Sequence, residues 1–171
     1  MSLFKKQQSY PIVTPIHEEV AEEIAQEEKK AWPLLGMDES AAPKEVVTTI
    51  MDKVDEILAG NYGADEIKDF AIALGCLWGR MVVRQYGWEY RDIVFDKDSD
   101  ALQCLVSPQE FFCCNPISFV YGILTGNNTG LDGKNDNTIL LLFNMLDGID
   151  QQNRPYNTVP TKTSKKYQYL H

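Results

Sequence analysis

The chain has 171 residues, of which 44% are apolar and 24% charged, and its formal net charge is −9 at pH 7. This length suits one compact domain, and 3 Trp, 8 Tyr and 7 Phe residues supply a core, which excludes a wholly disordered chain. The excess of carboxylates, 25 against 16 Lys and Arg residues, argues against nucleic-acid binding, which needs a basic face.

Two amphipathic helices are predicted in the first third of the chain. The first begins at Thr14, which can cap a helix whose first residue is Pro15, and Pro33 ends it. The second covers residues 43–60, between a proline and a glycine, with apolar residues recurring on one face.

A third helix is predicted over residues 64–86, where apolar residues recur at helical spacing and Gly87 follows. Gly75 and Gly79 lie one turn apart on one side of it. Each interior glycine costs a helix about 1 kcal/mol relative to alanine, so we expect another element to approach closely there. This segment is the predicted central helix of the fold.

A small antiparallel sheet is predicted after the central helix. Residues 88–95 and 101–106 are rich in aromatic and β-branched types and form a hairpin around the polar connection 96–100. Residues 110–114 provide a short third strand. Asn115 then caps a helix that starts with Pro116.

The rest of the chain is predicted as a loop, a helix and a tail. Glycines and asparagines fill the loop 126–137, and residues 138–148 form a helix that is apolar nearly all round and therefore deeply buried. Residues 151–171 are polar and carry a charge of +4, typical of a tail or wrapping arm. The predicted fold is α+β and mostly helical, with a sheet of two or three strands and a single domain over residues 1–150.

The sequence predicts no membrane segment and no cofactor. The longest apolar run is the five residues 139–143, whereas a membrane helix needs about 20. Lys5 and Lys6 are followed by no hydrophobic stretch of the kind found in a signal peptide, so we expect a cytoplasmic protein.

The cysteines Cys76, Cys104, Cys113 and Cys114 lack metal-ligand spacing. With His17 and His171 as the only histidines, free buried thiols are expected rather than a zinc site or a catalytic thiolate. The acidic connection 96–100 resembles the start of a calcium loop. That loop also needs Gly and Glu where Ala101 and Ser107 stand, so a solvated turn is expected.

Six glutamates between Glu18 and Glu28 form the strongest charge feature, set against only Lys29 and Lys30. One interpretation is a solvated face that keeps the protein soluble. The other is a surface that attracts a basic partner, because complementary charge speeds association and selects partners.

One stretch of the sequence resembles known domains: it runs from Leu74 through Gly79 to Trp88 and is followed by a hairpin and Asn115-Pro116. It is similar to small uncharacterised bacterial domains in which a Leu-Gly-x-x-x-Gly helix leads through a Gly turn into a Trp-bearing strand. The matching residues make the fold and transfer no catalytic role. By analogy of class, small acidic proteins with such folds resemble immunity proteins, which mask the active site of a cognate toxin.

The leading hypothesis is therefore a non-enzymatic protein-binding module, an immunity-type inhibitor of a basic toxin. The residues predicted to face the partner are Glu18, Glu19, Glu22, Glu23, Asp96, Asp98 and Asp100. An alternative is a ligand-binding or catalytic domain with a pocket between the third helix and the hairpin, lined by Trp78, Arg84 and Tyr90. A third is an assembly subunit whose tail 151–171 packs on a neighbouring copy.

Overall fold

The structure is a computed structural model that describes residues 11–110, 112–126, 137–151 and 168–169. The helices in these residues are α1 (Glu18–Leu35), α2 (Pro43–Ala59), α3 (Ala64–Tyr86), α4 (Pro116–Leu124) and α5 (Ile139–Gln151). The strands are β1 (Ile12–Pro15), β2 (Glu89–Val94), β3 (Leu102–Val106), β4 (Phe112–Cys114) and β5 (Gln168–Tyr169). The predicted α+β class is confirmed.

The sheet is larger than the predicted two or three strands. Its order is β1-β2-β3-β4-β5, and the first four strands are antiparallel neighbours, whereas the two-residue β5 runs parallel to β4. Strand β1 was missed because Thr14 and Pro15 match a helix start. Both residues instead lie in β1, where Thr14 is paired with Asp92 and Pro15 with Arg91. A proline is compatible with this edge position, since an edge strand leaves one row of N–H groups unpaired.

The first helix accordingly begins and ends later than predicted. Pro33 lies inside its last turn, and the helix continues to Leu35. The end is closed by Gly36, whose φ of 63° is left-handed, and whose N–H donates to the Pro33 carbonyl. The Met37 N–H donates to the Trp32 carbonyl. Pro33 does not stop the helix because the last turn is held by these closing hydrogen bonds.

The last helix also differs from its prediction. It runs through Gly148 to Gln151 rather than ending at the glycine. Leu142 and Leu146 are buried, but Leu141 is 58% exposed and Met145 is 49% exposed. The expectation of an all-round buried helix is therefore wrong, because α5 packs on the rest of the fold through one face.

Helix α3 lies at the centre, as predicted, and packs against α1, α2, α4 and α5. A β-carbon on Gly75 would lie 2.8 Å from the Ile117 α-carbon, so α4 approaches α3 backbone to backbone. Strand residues alternate between two apolar clusters. Leu105 and Cys114 join the main core, whereas Cys104 and Cys113 belong to a second cluster with Ile93 and Val106.

Two predicted segments lie largely outside the described residues. They are most of the loop 126–137 and most of the tail 151–171. Strand β5 shows where residues 168–169 lie, beside β4.

Candidate functional site

A cleft of about 780 Å³ opens between α1 and α4, with α3 beneath it and the sheet at one end. We call it the α1–α4 cleft. Its lining residues are Val20, Glu23, Ile24, Glu27, Lys68, Ala71, Ile72, Cys76, Tyr90, Gln103, Asn115, Pro116, Ile117, Ser118 and Tyr121. Most of its surface is apolar, with a few polar groups, which is the usual composition of a binding pocket.

The phenol of Tyr90 is held beneath the cleft by the glycine pattern of α3. A β-carbon on Gly79 would collide with the Tyr90 hydroxyl and would lie 3.0 Å from Pro116 Cγ, so only a glycine leaves room for both side chains. Burial raises the pKa of Tyr90 well above its usual range, which keeps the phenol neutral. Among the described residues the Tyr90 hydroxyl has no hydrogen-bond partner.

A hydrogen-bonded chain forms the sheet end of the cleft. The Asn115 side chain caps α4 by accepting from the Ser118 N–H at 2.7 Å, and its amide donates to the Gln103 carbonyl at 2.7 Å. The Gln103 side-chain amide donates to Asp92 Oδ1 at 2.9 Å. Asp92 is only 7% exposed, so a carboxylate lies behind this wall. Each of the two amides thus uses one N–H within the protein, and no hydrogen bond engages Gln103 Oε1 with a described group.

The α1 wall of the cleft is both apolar and acidic. Val20 and Ile24 provide its apolar part, and Glu23 and Glu27 lie one helical turn apart on the same side. Lys30 pairs with Glu27 at 2.6 Å, but this lysine side chain is 63% exposed and its ion pair is weak. Glu23 has no ion pair with a described cation.

Among the described residues, Lys68 is the one cationic side chain in this lining, and it lies on α3. It forms no ion pair with a described carboxylate. The described part of the lining thus holds two carboxylates against one ammonium group, and Asp92 accepts a hydrogen bond from the lining residue Gln103.

Cys76 is the cysteine that lines the cleft. Burial, reinforced by the Glu27 and Glu28 carboxylates, raises its pKa to about 12, so the thiol is protonated at neutral pH. In the second apolar cluster, a hydrogen bond from Cys104 lowers the pKa of Cys113. Both of these thiols are fully buried, as is Cys114. All four cysteines are free, as predicted.

The predicted partner-binding glutamates lie together on the first two turns of α1. The side chains of Glu18, Glu19, Glu22 and Glu23 are all exposed. None of the four forms an ion pair with a cation in the described part of the chain. Because Glu23 also lines the cleft, this acidic face continues into it.

The predicted aspartates of the hairpin lie elsewhere. Asp96 accepts from the Asp98 N–H at 3.0 Å and so shapes the turn, and Asp98 and Asp100 are exposed. Pro15, just before α1, is paired with Arg91, five residues before the turn begins. Since strands rise about 3.3 Å per residue, about 17 Å of strand separates the start of α1 from this turn.

The alternative pocket predicted from the sequence retains one of its three residues in the cleft, Tyr90. Trp78 is fully buried between α4 and α5, where its ring lies 5.1 Å from that of Phe119 and its Nε1 donates to the Ile139 carbonyl at 3.2 Å. Arg84 donates instead to the Ala41 carbonyl at 3.1 Å, in the connection between α1 and α2.

Sequence reasoning missed Gln103 and Ser118, and placed Asn115 only as a helix cap. The sequence held no local signal for these residues: the spacing of Val20 and Ile24 is typical of a core-facing stripe, and only the structure shows that both are partly buried. An apolar stripe that stays partly uncovered indicates a groove beside the helix.

Comparisons of the chain with protein-family models, with curated proteins and with solved structures give no match. Within the described residues, no helix has the length and apolarity needed to cross a membrane. In the same part of the chain, no three His, Cys, Asp or Glu side chains are grouped so as to hold a metal ion.

Proposed function

We propose that the protein is a non-enzymatic binding module that neutralises a basic protein partner, in the manner of an immunity-type inhibitor of a toxin. The observation that carries the proposal is the continuity between the exposed α1 glutamates, which form no ion pair with a described cation, and the α1–α4 cleft, joined at Glu23. A basic partner gains long-range attraction from the exposed carboxylates and a concave, largely apolar place in which to dock.

The charges of α1 support a partner more than an internal role. Exposed carboxylates without a neighbouring cation repel one another, which costs stability that an incoming basic surface relieves. By contrast, Glu27 and Glu28 further along the helix face Lys30 and Arg80. The α1 carboxylates that pair with no described cation therefore lie on its first two turns, and Glu23 among them lines the cleft.

In this proposal the hairpin aspartates form a second contact. It is separate from that of the α1 glutamates, because the aspartates lie at the far end of β2 from the start of α1. A partner that reached both groups would span the β1–β2 edge of the sheet. The two groups are separable by mutation, with Glu18→Gln/Glu22→Gln on α1 and Asp98→Asn/Asp100→Asn in the turn.

The experiment compares immobilised wild-type protein with the α1 double variant and with a matched control, Glu45→Gln/Asp52→Asn. The control residues are exposed on α2, and their replacement changes the net charge equally. Proteins retained from a lysate of the native source at low salt are identified, and the binary complex is rebuilt from purified components.

We expect a basic protein that forms a one-to-one complex and whose on-rate falls by about tenfold or more between low and high salt. The α1 variant lowers that on-rate by several-fold more than the α2 control, and co-production with this protein suppresses the partner's toxicity. Equal on-rates for the α1 double variant and the α2 control contradict the assignment of the binding surface to α1. A partner whose toxicity is unaffected contradicts the inhibitory role.

A further inference from the structure

Among the described residues that line the α1–α4 cleft, the carboxylates of Glu23 and Glu27 outnumber the one ammonium group, that of Lys68. Glu23, Glu27, Gln103 and Tyr90 line the cleft, and each of their side chains has an oxygen that can accept a hydrogen bond. One N–H of the Gln103 amide is engaged with Asp92, and one N–H of the Asn115 amide is engaged with the Gln103 carbonyl. A ligand that donates several hydrogen bonds satisfies these acceptors, and a ligand that only accepts does not.

The start of α4 does not turn the cleft into an anion site, although a helix N-terminus ordinarily attracts anions. Asn115 Oδ1 already accepts from the Ser118 N–H, and Pro116 has no N–H to offer. The Ile117 nitrogen faces α3, since a β-carbon on Gly75 would lie 3.0 Å from it. At this helix end the Ser118 N–H is therefore already engaged, Pro116 has no N–H, and the Ile117 nitrogen lies against α3.

The apolar surfaces of the cleft fit an aliphatic chain. Val20 and Ile24 line it from α1, Ile72 from α3 and Ile117 from α4. A ligand with an alkyl stem and a planar, multiply donating cation therefore matches both parts of the cleft. A guanidinium group presents five N–H donors in a plane and is more weakly hydrated than an ammonium group, which favours its transfer into such a site.

We propose that the α1–α4 cleft is a binding site for an alkylguanidinium group, namely an arginine side chain of the basic partner. The assignment of the arginine to that partner rests on the proposed function, whereas the guanidinium site itself does not. Arginine is among the residues that most often dominate binding energy when inserted into a pocket. In this role Glu23 and Glu27 hold the cation, and Tyr90 and Gln103 accept from its N–H groups.

The test uses the full chain and two small probes, 1-butylguanidinium and its neutral analogue 1-butylurea. Each is titrated while the amide resonances of the protein, including the Gln103 and Asn115 side-chain NH₂ groups, are followed by NMR. We expect butylguanidinium to shift resonances around the cleft with a dissociation constant on the order of 1 mM, as suits so small a ligand. Butylurea binds about tenfold more weakly or not at all.

The variants assign the binding to the named groups. Glu23→Gln/Glu27→Gln weakens butylguanidinium by about tenfold or more, because two charge-assisted contacts are lost. Tyr90→Phe weakens it by about threefold through loss of the hydroxyl acceptor. The α2 control Glu45→Gln/Asp52→Asn stays within about twofold of the wild type. Equal binding of both probes, or unchanged binding by the glutamate variant, overturns the site.

Competition distinguishes the two sources of a guanidinium group. Saturating butylguanidinium weakens the complex with the basic partner if the partner inserts an arginine. An undiminished complex overturns the arginine assignment and leaves a site for a free small-molecule guanidinium. Because the titrations need no partner, failure of the proposed function does not obscure their result.

Discussion

The hydroxyl of Tyr90 on β2 lies in the space where any residue other than glycine at position 79 of α3 would carry its β-carbon. This relationship links the glycine pattern of the central helix to the cleft, because the same phenol lines the α1–α4 cleft. Pro116, the first residue of α4, shares that space, with Cγ 3.0 Å from the same point. The absence of a side chain at Gly79 therefore allows Tyr90 of β2 and Pro116 of α4 to pack against α3 beside the cleft.

We predict that Gly79→Ala destabilises the protein by about 1–3 kcal/mol, although alanine favours a helix by about 1 kcal/mol. The reason is the collision of the new β-carbon with the Tyr90 hydroxyl. Urea unfolding followed by circular dichroism measures the change in the free energy of unfolding.

A double-mutant cycle with Tyr90→Phe provides the control. Removing the hydroxyl relieves part of the collision, so Gly79→Ala should cost about 1 kcal/mol less in the Tyr90→Phe background. The same cost in both backgrounds would show that the hydroxyl is not the group that excludes alanine.

A second prediction compares two glycines inside helices. Gly75→Ala places a β-carbon 2.8 Å from the Ile117 α-carbon and 3.0 Å from the Pro116 carbonyl oxygen, both backbone atoms that cannot swing aside. We expect a loss of about 2 kcal/mol or more from the separation of α3 and α4.

Gly148→Ala is the matched control, since its β-carbon would meet no atom within 4 Å. We expect this change in α5 to leave the free energy of unfolding unchanged or to raise it by up to about 1 kcal/mol. Alanine lowers the conformational entropy of the unfolded chain and favours the helix. Thermal and urea unfolding of both variants decide the comparison, and a stabilising Gly75→Ala would refute the close contact.

The third prediction concerns Glu28, whose carboxylate lies 4.0 Å from Arg80 Nε. Burial raises the pKa of Glu28, and the attraction of Arg80 offsets only part of this effect. The unfolded chain thus releases this proton at a lower pH than the folded protein does. The contribution of Glu28 to the free energy of unfolding therefore falls as pH rises from about 4 through the raised pKa, because the charged form is disfavoured in the folded protein.

Glu28→Gln removes this pH-dependent penalty. We expect the free energy of unfolding of the variant, minus that of the wild type, to be larger at pH 7 than at pH 4. Urea unfolding of both proteins at each pH measures this difference. Glu22→Gln, on the exposed face of the same helix, serves as the control. A variant that loses more stability at pH 7 than at pH 4 would mean that the Arg80 attraction outweighs burial.

Much of the helical framework could be predicted because its signals are local. Pro43 and Gly60 bracket α2, Gly87 ends α3 in a left-handed conformation, and Asn115 caps α4 as expected. The failures occurred where local signals were ambiguous. Thr14-Pro15 suits a helix start as well as an edge strand, and only pairing with β2 decides between them.

The cleft could not be predicted from such signals, because its lining comes from five stretches of the chain that meet only in the fold. Glu23 and Tyr90 were singled out for unrelated reasons, and the structure places both on one cleft. Trp78 and Arg84 share the helix that passes beneath the cleft but are turned toward α5 and toward the α1–α2 connection. Sequence spacing assigns a residue to a helix, but the neighbouring elements determine what its side chain meets.

The sequence by itself determined the α+β class, three of the helices, the free cysteines and the need for a close approach at Gly75 and Gly79. These depend on backbone propensity, capping and composition, which act over a few residues. The tertiary structure alone decided that β1 joins the sheet, that α5 exposes one face, and that the acidic face of α1 opens into a cleft above Tyr90. Such features depend on contacts between residues far apart in the chain, whose free energy exists only once the elements pack.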